Sequence, residues 1–221
     1  MKPTALYPKI KVCGMTQPEQ CAQLTPLGVD FLGFIFYEKS PRFVLNHLRL
    51  EEIKLISHPL KIGVFVNEKA GNIIDTVTKA GLQGIQLHGN ESVDFVGTLR
   101  RQLPDTTIIK VIRIGKDSGL AGDNLAQFNQ NQNVDALLFD TDSAAFGGTG
   151  KTFDWHILNA LKITKPYFLS GGLSADNIGN LKQITQRPAV LDINSKFETE
   201  PGIKNIELIK DFILKIRQHD L

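Results

Sequence analysis

The chain has 221 residues, 42% hydrophobic and 22% charged, enough for one sizeable core and close to the size of a single small α/β barrel. Its formal net charge of +2 comes from 25 basic and 23 acidic residues spread along the sequence, which leaves no footprint for nucleic acid or an anionic membrane and points to a small-molecule partner. No apolar run approaches the ~18 residues needed to cross a bilayer, and Met1 to Ile10 lacks the apolar centre of a signal peptide, so a cytoplasmic protein is expected.

Short apolar, β-branched runs recur along the chain: Ile10–Cys13, Phe31–Phe36, Lys61–Val66, Gly84–His88, Thr107–Ile112, Ala136–Asp140, Tyr167–Ser170 and Ala189–Ile193. Near-continuous hydrophobicity suits parallel strands buried on both faces, and the stretches between are long enough for crossover helices. Thr16-Gln-Pro-Glu19 and Ser174-Ala-Asp-Asn177 place a capping side chain ahead of a helical pattern, and Gly28 and Gly81 end helices. The second helix, Leu45 to Ser57, and the fifth, Gly122 to Gln130, have patterns diluted by polar residues. Eight alternations predict a closed (β/α)₈ TIM barrel, with residues 1–221 as one domain. An open doubly wound sheet is disfavoured, because no G-x-G-x-x-G follows the first strand and the glycine clusters lie after strands six and seven.

In such a barrel the reacting groups project from the carboxyl ends of the strands. That selects Cys13, Tyr37 to Arg42, Asn67, His88, Arg113, Asp140, Gly171 with Gly172, and Asn194 with Ser195. Cys13 is either a buried inert thiol or a general base, and as a base it needs nearby cations or helix N-termini to favour its thiolate. Cys21, inside the first helix, is explained by inert packing, and the two cysteines have neither redox nor zinc spacing. Asp140 closes the apolar run Ala136-Leu-Leu-Phe-Asp140, where it is either a proton donor at the barrel mouth or a solvated or capping acid. Asp142, two residues on, reads as looped out. Arg42, in Ser40-Pro-Arg42, is a planar fork suited to a carboxylate, against the commoner solvated surface arginine. His88 reads as a hydrogen-bonded structural histidine or as site lining, and no histidine shows metal-ligand spacing, so no metal is expected.

Phe146-Gly-Gly-Thr-Gly-Lys-Thr-Phe-Asp-Trp155 misses the Walker A spacing and supports no nucleotide claim. Gly147, Gly148 and Gly150 allow a loop close to a ligand, with Asp154 beginning the next helix. Leu169-Ser-Gly-Gly-Leu-Ser174 and Asp192-Ile-Asn-Ser195 end adjacent strands and expose backbone N–H groups, a setting for a phosphate.

Taken in order, Lys11-Val-Cys-Gly-Met-Thr16, Gly33-Phe-Ile-Phe36 with Ser40-Pro-Arg42, Gly63-Val-Phe-Val66, Gln86-Leu-His-Gly89, Phe139-Asp140, Gly147–Trp155 and Leu169-Ser-Gly-Gly-Leu173 resemble the signature segments of the phosphoribosylanthranilate isomerase family. The first and the Gly147–Trp155 segments are the most specific. The chain departs from the pattern in Asp192-Ile-Asn-Ser-Lys-Phe-Glu198, where the family runs nearer Asp-Val-Ser-Ser-Gly-Val-Glu, so Asn194 and Lys196 stand for a serine and a glycine. The resemblance implies an Amadori rearrangement in tryptophan biosynthesis, from N-(5-phosphoribosyl)anthranilate to 1-(2-carboxyphenylamino)-1-deoxyribulose 5-phosphate, without metal or redox cofactor. It makes Asp140 the acid at the ribose ring oxygen, Cys13 the thiolate base at C2′ and Arg42 the holder of the anthranilate carboxylate, with Gly171, Gly172, Asn194 and Ser195 around the phosphate. An indoleglycerol-phosphate synthase or a histidine-pathway sugar isomerase would share the barrel but carry lysine and glutamate, or paired aspartates, in place of Cys13 and Asp140. A non-catalytic phosphate-binding barrel would need the anion loops alone.

Overall fold

The structure, a computed structural model, describes residues 7–58, 60–115, 118–141 and 154–218. The expectations for Asp142 and for Gly147, Gly148 and Gly150 lie outside the described residues. Eight parallel strands form one closed barrel in sequence order: β1 (Lys9–Val12), β2 (Phe31–Ile35), β3 (Lys61–Phe65), β4 (Gly84–Leu87), β5 (Thr107–Ile114), β6 (Ala136–Thr141), β7 (Tyr167–Leu169) and β8 (Val190–Ile193). Closure is made by β8 on β1, with Lys9 opposite Val190 and Lys11 opposite Asp192. All eight expected strands are present, because each apolar run satisfies its backbone through two neighbours while burying both faces.

Six α-helices are described: α1 (Pro18–Leu24), α2 (Leu50–Leu55), α3 (Ala70–Ala80), α4 (Val93–Gln102), α5 (Ser118–Asn129) and α6 (Ile206–Gln218). In α3 the buried residues Ile73, Val77 and Ala80 recur at helical spacing and form the face laid on the sheet. Truncating Ile73 to alanine there would cost about 2–5 kcal/mol. Gly81 ends the helix in the left-handed region at φ 60°, its N–H donating to Val77 O, and Gly28 ends the turn after α1 at φ 79°, as the sequence indicates. Among the described residues no helix is long and apolar enough to cross a membrane.

The capping expectations need correction. Thr16 does not cap α1: its hydroxyl donates to Gly202 O at 2.7 Å, and Gln17 precedes Pro18 without a side-chain cap. Ser174 caps no helix either, since its own N–H is taken by Asn177 Oδ1 at 2.8 Å and only a 3₁₀ helix, Ile178–Gln183, follows. The Leu45 to Ser57 region likewise divides into a 3₁₀ turn, Val44–Asn46, and the short α2. Asp154 does cap the segment after it, accepting from His156 N at 3.0 Å, but that segment is also a 3₁₀ helix, Trp155–Ala160. After β8 a small antiparallel hairpin of β9 (Glu198–Glu200) and β10 (Ile203–Lys204) is too short to have announced itself by alternation.

Side-chain alternation divides the core in two. Odd positions of β1 and even positions of β4, β6 and β8 point into the barrel, and their neighbours face the helices. The barrel floor is apolar, with Ile62, Ile109, Val111, Ala136, Leu138, Phe168 and Val190 packed together and the rings of Phe31 and Phe168 5.5 Å apart. Above that floor the same alternation delivers Lys11, Cys13, Gln86, His88, Asp140 and Asp192.

Candidate active site

Cys13 follows β1 with 5% of its surface exposed, and Asp140 lies near the end of β6 with 6%. Both are therefore removed from bulk water, and their polar neighbours decide their behaviour. Lys11, two residues before Cys13 and so on the same face, is fully buried. Its ammonium donates to Asp192 Oδ2 at 2.8 Å and to Gln86 Oε1 at 2.9 Å, and its charge acts on the neighbouring Cys13 thiol. Gly33 on β2 makes room for this convergence, since a Cβ there would sit 2.9 Å from Cys13 Sγ and 3.2 Å from Lys11 Cε.

The electrostatics are opposed. Burial pushes the Cys13 thiol above its ordinary value, while the cations of Lys11 and Lys204 pull it down and Asp192 pushes it up. Burial wins, so the cations that the sequence reading required are present but leave the thiol less acidic than in water. Lys11 itself keeps its proton firmly: burial disfavours the ammonium, but Asp192 and Cys13 outweigh it. Cys21, packed in α1 and pushed up to about 12 by burial, has the inert setting expected of it.

Asp140 Oδ1 accepts the backbone N–H of Thr141 at 2.9 Å. Its other oxygen lies 3.2 Å from His88 Nε2, and His88 Nδ1 is 3.0 Å from Gln86 Nε2. A buried polar chain thus runs from Lys11, two residues before Cys13, through Gln86 and His88 to Asp140. Asp192 Oδ1 is buried with no hydrogen-bond partner among the described residues.

Arg42 is not a solvated surface residue. It is 7% exposed, with Nε 2.9 Å from both carboxylate oxygens of Glu198 and Nη2 2.6 Å from Oε2. Glu198 also accepts from Lys204 Nζ at 2.6 Å, and Lys204 in turn reaches Asn194 Oδ1 at 2.8 Å. These groups crowd Gly14, the residue after Cys13: a Cβ there would lie 2.7 Å from Arg42 Cδ and 2.9 Å from Asn194 Oδ1.

Gly171 and Gly172 follow β7 with φ of 85° and 69°, a left-handed pair that a side chain would strain. Ser195 opens a 3₁₀ turn after β8 with Asn194 preceding it. β7 and β8 are paired neighbours, so these two loops lie side by side. The sequence therefore located Cys13, Asp140, Arg42 and both glycine-side loops on one rim, and His88 with them. It missed Lys11, Gln86, Asp192, Glu198 and Lys204. A signal existed for the first three, each a polar residue interrupting an apolar strand on the inward parity, but none for the two hairpin residues.

Fold and site together define a class: closed (β/α)₈ barrels whose ionisable side chains gather at the carboxyl ends of the strands. Within that class, the family model for N-(5'-phosphoribosyl)anthranilate (PRA) isomerase matches residues 10–215, and the chain belongs to that family. A relative from Nostoc punctiforme named N-(5'-phosphoribosyl)anthranilate isomerase is 39% identical over 213 residues, covering 94% of this chain and 98% of its own. One of the same name from Parabacteroides distasonis is 36% identical, with 94% and 92% covered. The crystal structure of phosphoribosyl anthranilate isomerase from Thermotoga maritima superposes with a TM-score of 0.81 at 29% identity, covering 96% of this chain and all of the other. A further structure of such an isomerase, at 26% identity and TM-score 0.79 with the same coverage, is in complex with reduced 1-(o-carboxyphenylamino)-1-deoxyribulose 5-phosphate.

Proposed function

We propose that this chain catalyses the aldose–ketose (Amadori) isomerisation of N-(5-phosphoribosyl)anthranilate, as one cytoplasmic catalytic domain without cofactor. The observation that carries the reading is the placing of Cys13 and Asp140 above one apolar barrel floor, on strands that close the same mouth. Asp140 gives its proton to the ribose ring oxygen as the C1′–O bond breaks and the anilino nitrogen forms a C1′=N double bond. Cys13, as thiolate, then takes the proton from C2′, and the electron pair released neutralises the iminium as an enolamine. The enolamine tautomerises, its C2′ hydroxyl losing a proton and C1′ gaining one, to give the ketone. Cys13 ends as a thiol and Asp140 as a carboxylate, so exchange with solvent resets the pair. Only protons move, so the reaction calls for neither metal nor redox group.

Lys11 and Lys204 support the thiolate electrostatically. Arg42 offers Nη1 to the anthranilate carboxylate, since Nε and Nη2 serve Glu198. The amides of Gly171, Gly172 and Ser195 and the side chain of Asn194 surround the phosphate of a small anionic ligand. Loss of phosphoribosylanthranilate fluorescence on adding the purified chain tests the proposal. Absence of turnover by folded protein would overturn it.

A further inference from the structure

Resting on that acid–base reading, we propose that Gln86 and His88 are positioning residues for Asp140: Lys11 sets the direction of the Gln86 amide, and the amide leaves the only proton of a neutral His88 on Nε2, the nitrogen facing Asp140. Gln86 and His88 are two apart at the end of β4 and share its inward face. The argument follows from which atoms can donate and which can accept.

Lys11 Nζ has only donors, so the Gln86 atom 2.9 Å from it must be the carbonyl oxygen. The opposite amide orientation would set NH₂ against NH₃⁺. The Gln86 NH₂ is therefore turned toward His88 Nδ1 at 3.0 Å. An amide NH₂ cannot accept, so Nδ1 must present a lone pair. A neutral imidazole then carries its proton on Nε2, 3.2 Å from Asp140 Oδ2. An imidazolium, or the other neutral tautomer, would bring two donors together at Nδ1.

The consequence concerns where the acid's proton can go. With Nε2 protonated, His88 has no lone pair toward Asp140 and cannot draw that proton away as a competing base. Asp140 is held by the Thr141 N–H on one oxygen and faced by the His88 Nε2–H on the other, which fixes the plane of its carboxyl group. Among the described residues, the charged and titratable groups around this pair are Lys11 from β1 and Cys13 just after it, Asp192 from β8 and Asp140 from β6. Arg113 of β5 adds a further cation, its Nη2 donating to the His88 carbonyl at 2.5 Å. The buried cation nearest the relay, Lys11, is the one that fixes its direction.

Nitrogen-15 NMR of histidine-labelled protein reads the tautomer directly, with a His88→Gln variant assigning the signals. The expected result for the neutral ring is an unprotonated Nδ1 and a protonated Nε2. In Gln86→Leu the Nδ1 constraint is gone, so the Nδ1 signal should move toward the protonated position and kcat should fall by roughly tenfold with KM little changed, a part of the general-acid contribution. A wild-type His88 protonated on Nδ1 at neutral pH would overturn the inference without any variant. So would a Gln86→Leu protein whose His88 signals and kcat match wild type. If Asp140→Asn is inactive while Nδ1 carries the proton, this inference alone fails. If Asp140→Asn turns over normally, the acid reading fails and the positioning role falls with it.

Discussion

Arg42 and Glu198 are joined across the barrel mouth by a two-pronged ion pair, Nη2 to Oε2 at 2.6 Å and Nε to both oxygens at 2.9 Å, and Lys204 holds the same carboxylate from the other side. The pair ties the loop after β2 to the hairpin after β8 and points the remaining nitrogen of the guanidinium away from Glu198. Arg42→Ala should raise KM by well over tenfold and lower kcat much less, since the carboxylate it would bind is remote from the migrating proton. Stability should fall by less than the ~3–5 kcal/mol typical of a broken buried pair, because Lys204 still neutralises Glu198. Steady-state kinetics with thermal unfolding check both, and an unchanged KM would remove Arg42 from substrate binding.

The two cysteines should separate cleanly. Cys13→Ser should lose most turnover, because a serine hydroxyl is far too weak an acid to replace a thiolate. Cys21→Ser should keep it, since that thiol only packs α1. Equal activities in the two variants would exclude Cys13 as the base.

Asp140→Asn should fold as wild type and be nearly inactive, since the amide preserves shape but has no proton to give the ring oxygen. A loss of ~10²- to 10⁴-fold corresponds to roughly 3–5 kcal/mol of transition-state stabilisation. Turnover measured beside thermal unfolding decides the matter, and a folded variant keeping more than about a tenth of wild-type kcat would assign the proton to another group.

Acid should destabilise the fold through two buried glutamates. Glu91 accepts from Lys110 Nζ at 2.8 Å and from the N–H groups of Asn67 and Gly89 at 2.9 and 3.0 Å. Burial works to raise its carboxyl, but Lys110 and these donors outweigh it and hold it below the ordinary 4.5. Glu198 is also held low: burial raises it, and Arg42 and Lys204 overcome that. A lowered folded value means that the unfolded chain binds the proton first. The stabilisation is complete above 4.5 and is lost as pH falls from there through the folded values. Urea midpoints should therefore drop steeply in that window, and Glu91→Gln should be less stable near neutrality with a flatter acid limb. Parallel acid limbs in the two proteins would show that Glu91 is not a source.

What the sequence by itself determined is the repeating element pattern and the rim. Runs such as Ala136-Leu-Leu-Phe-Asp140 declare a strand buried on both faces and place a polar residue at its end, because backbone hydrogen bonding and apolar burial are local demands that residue type encodes. The tertiary structure alone decided which groups meet. Lys11 and Asp192 lie 181 positions apart and become partners only when β8 closes on β1. Arg42 finds Glu198 only because a hairpin too short to show any alternation folds back over the mouth. The tertiary structure also settled the short 3₁₀ segments around Ile178–Gln183, where Asn177 spends its side chain on Ser174 N and Gly172 O in place of a cap. Electrostatic state follows the same division: Cys13 is visible in the sequence as a thiol at a strand end, but the contest between its burial and the charges of Lys11 and Lys204 exists only once the barrel has closed around it.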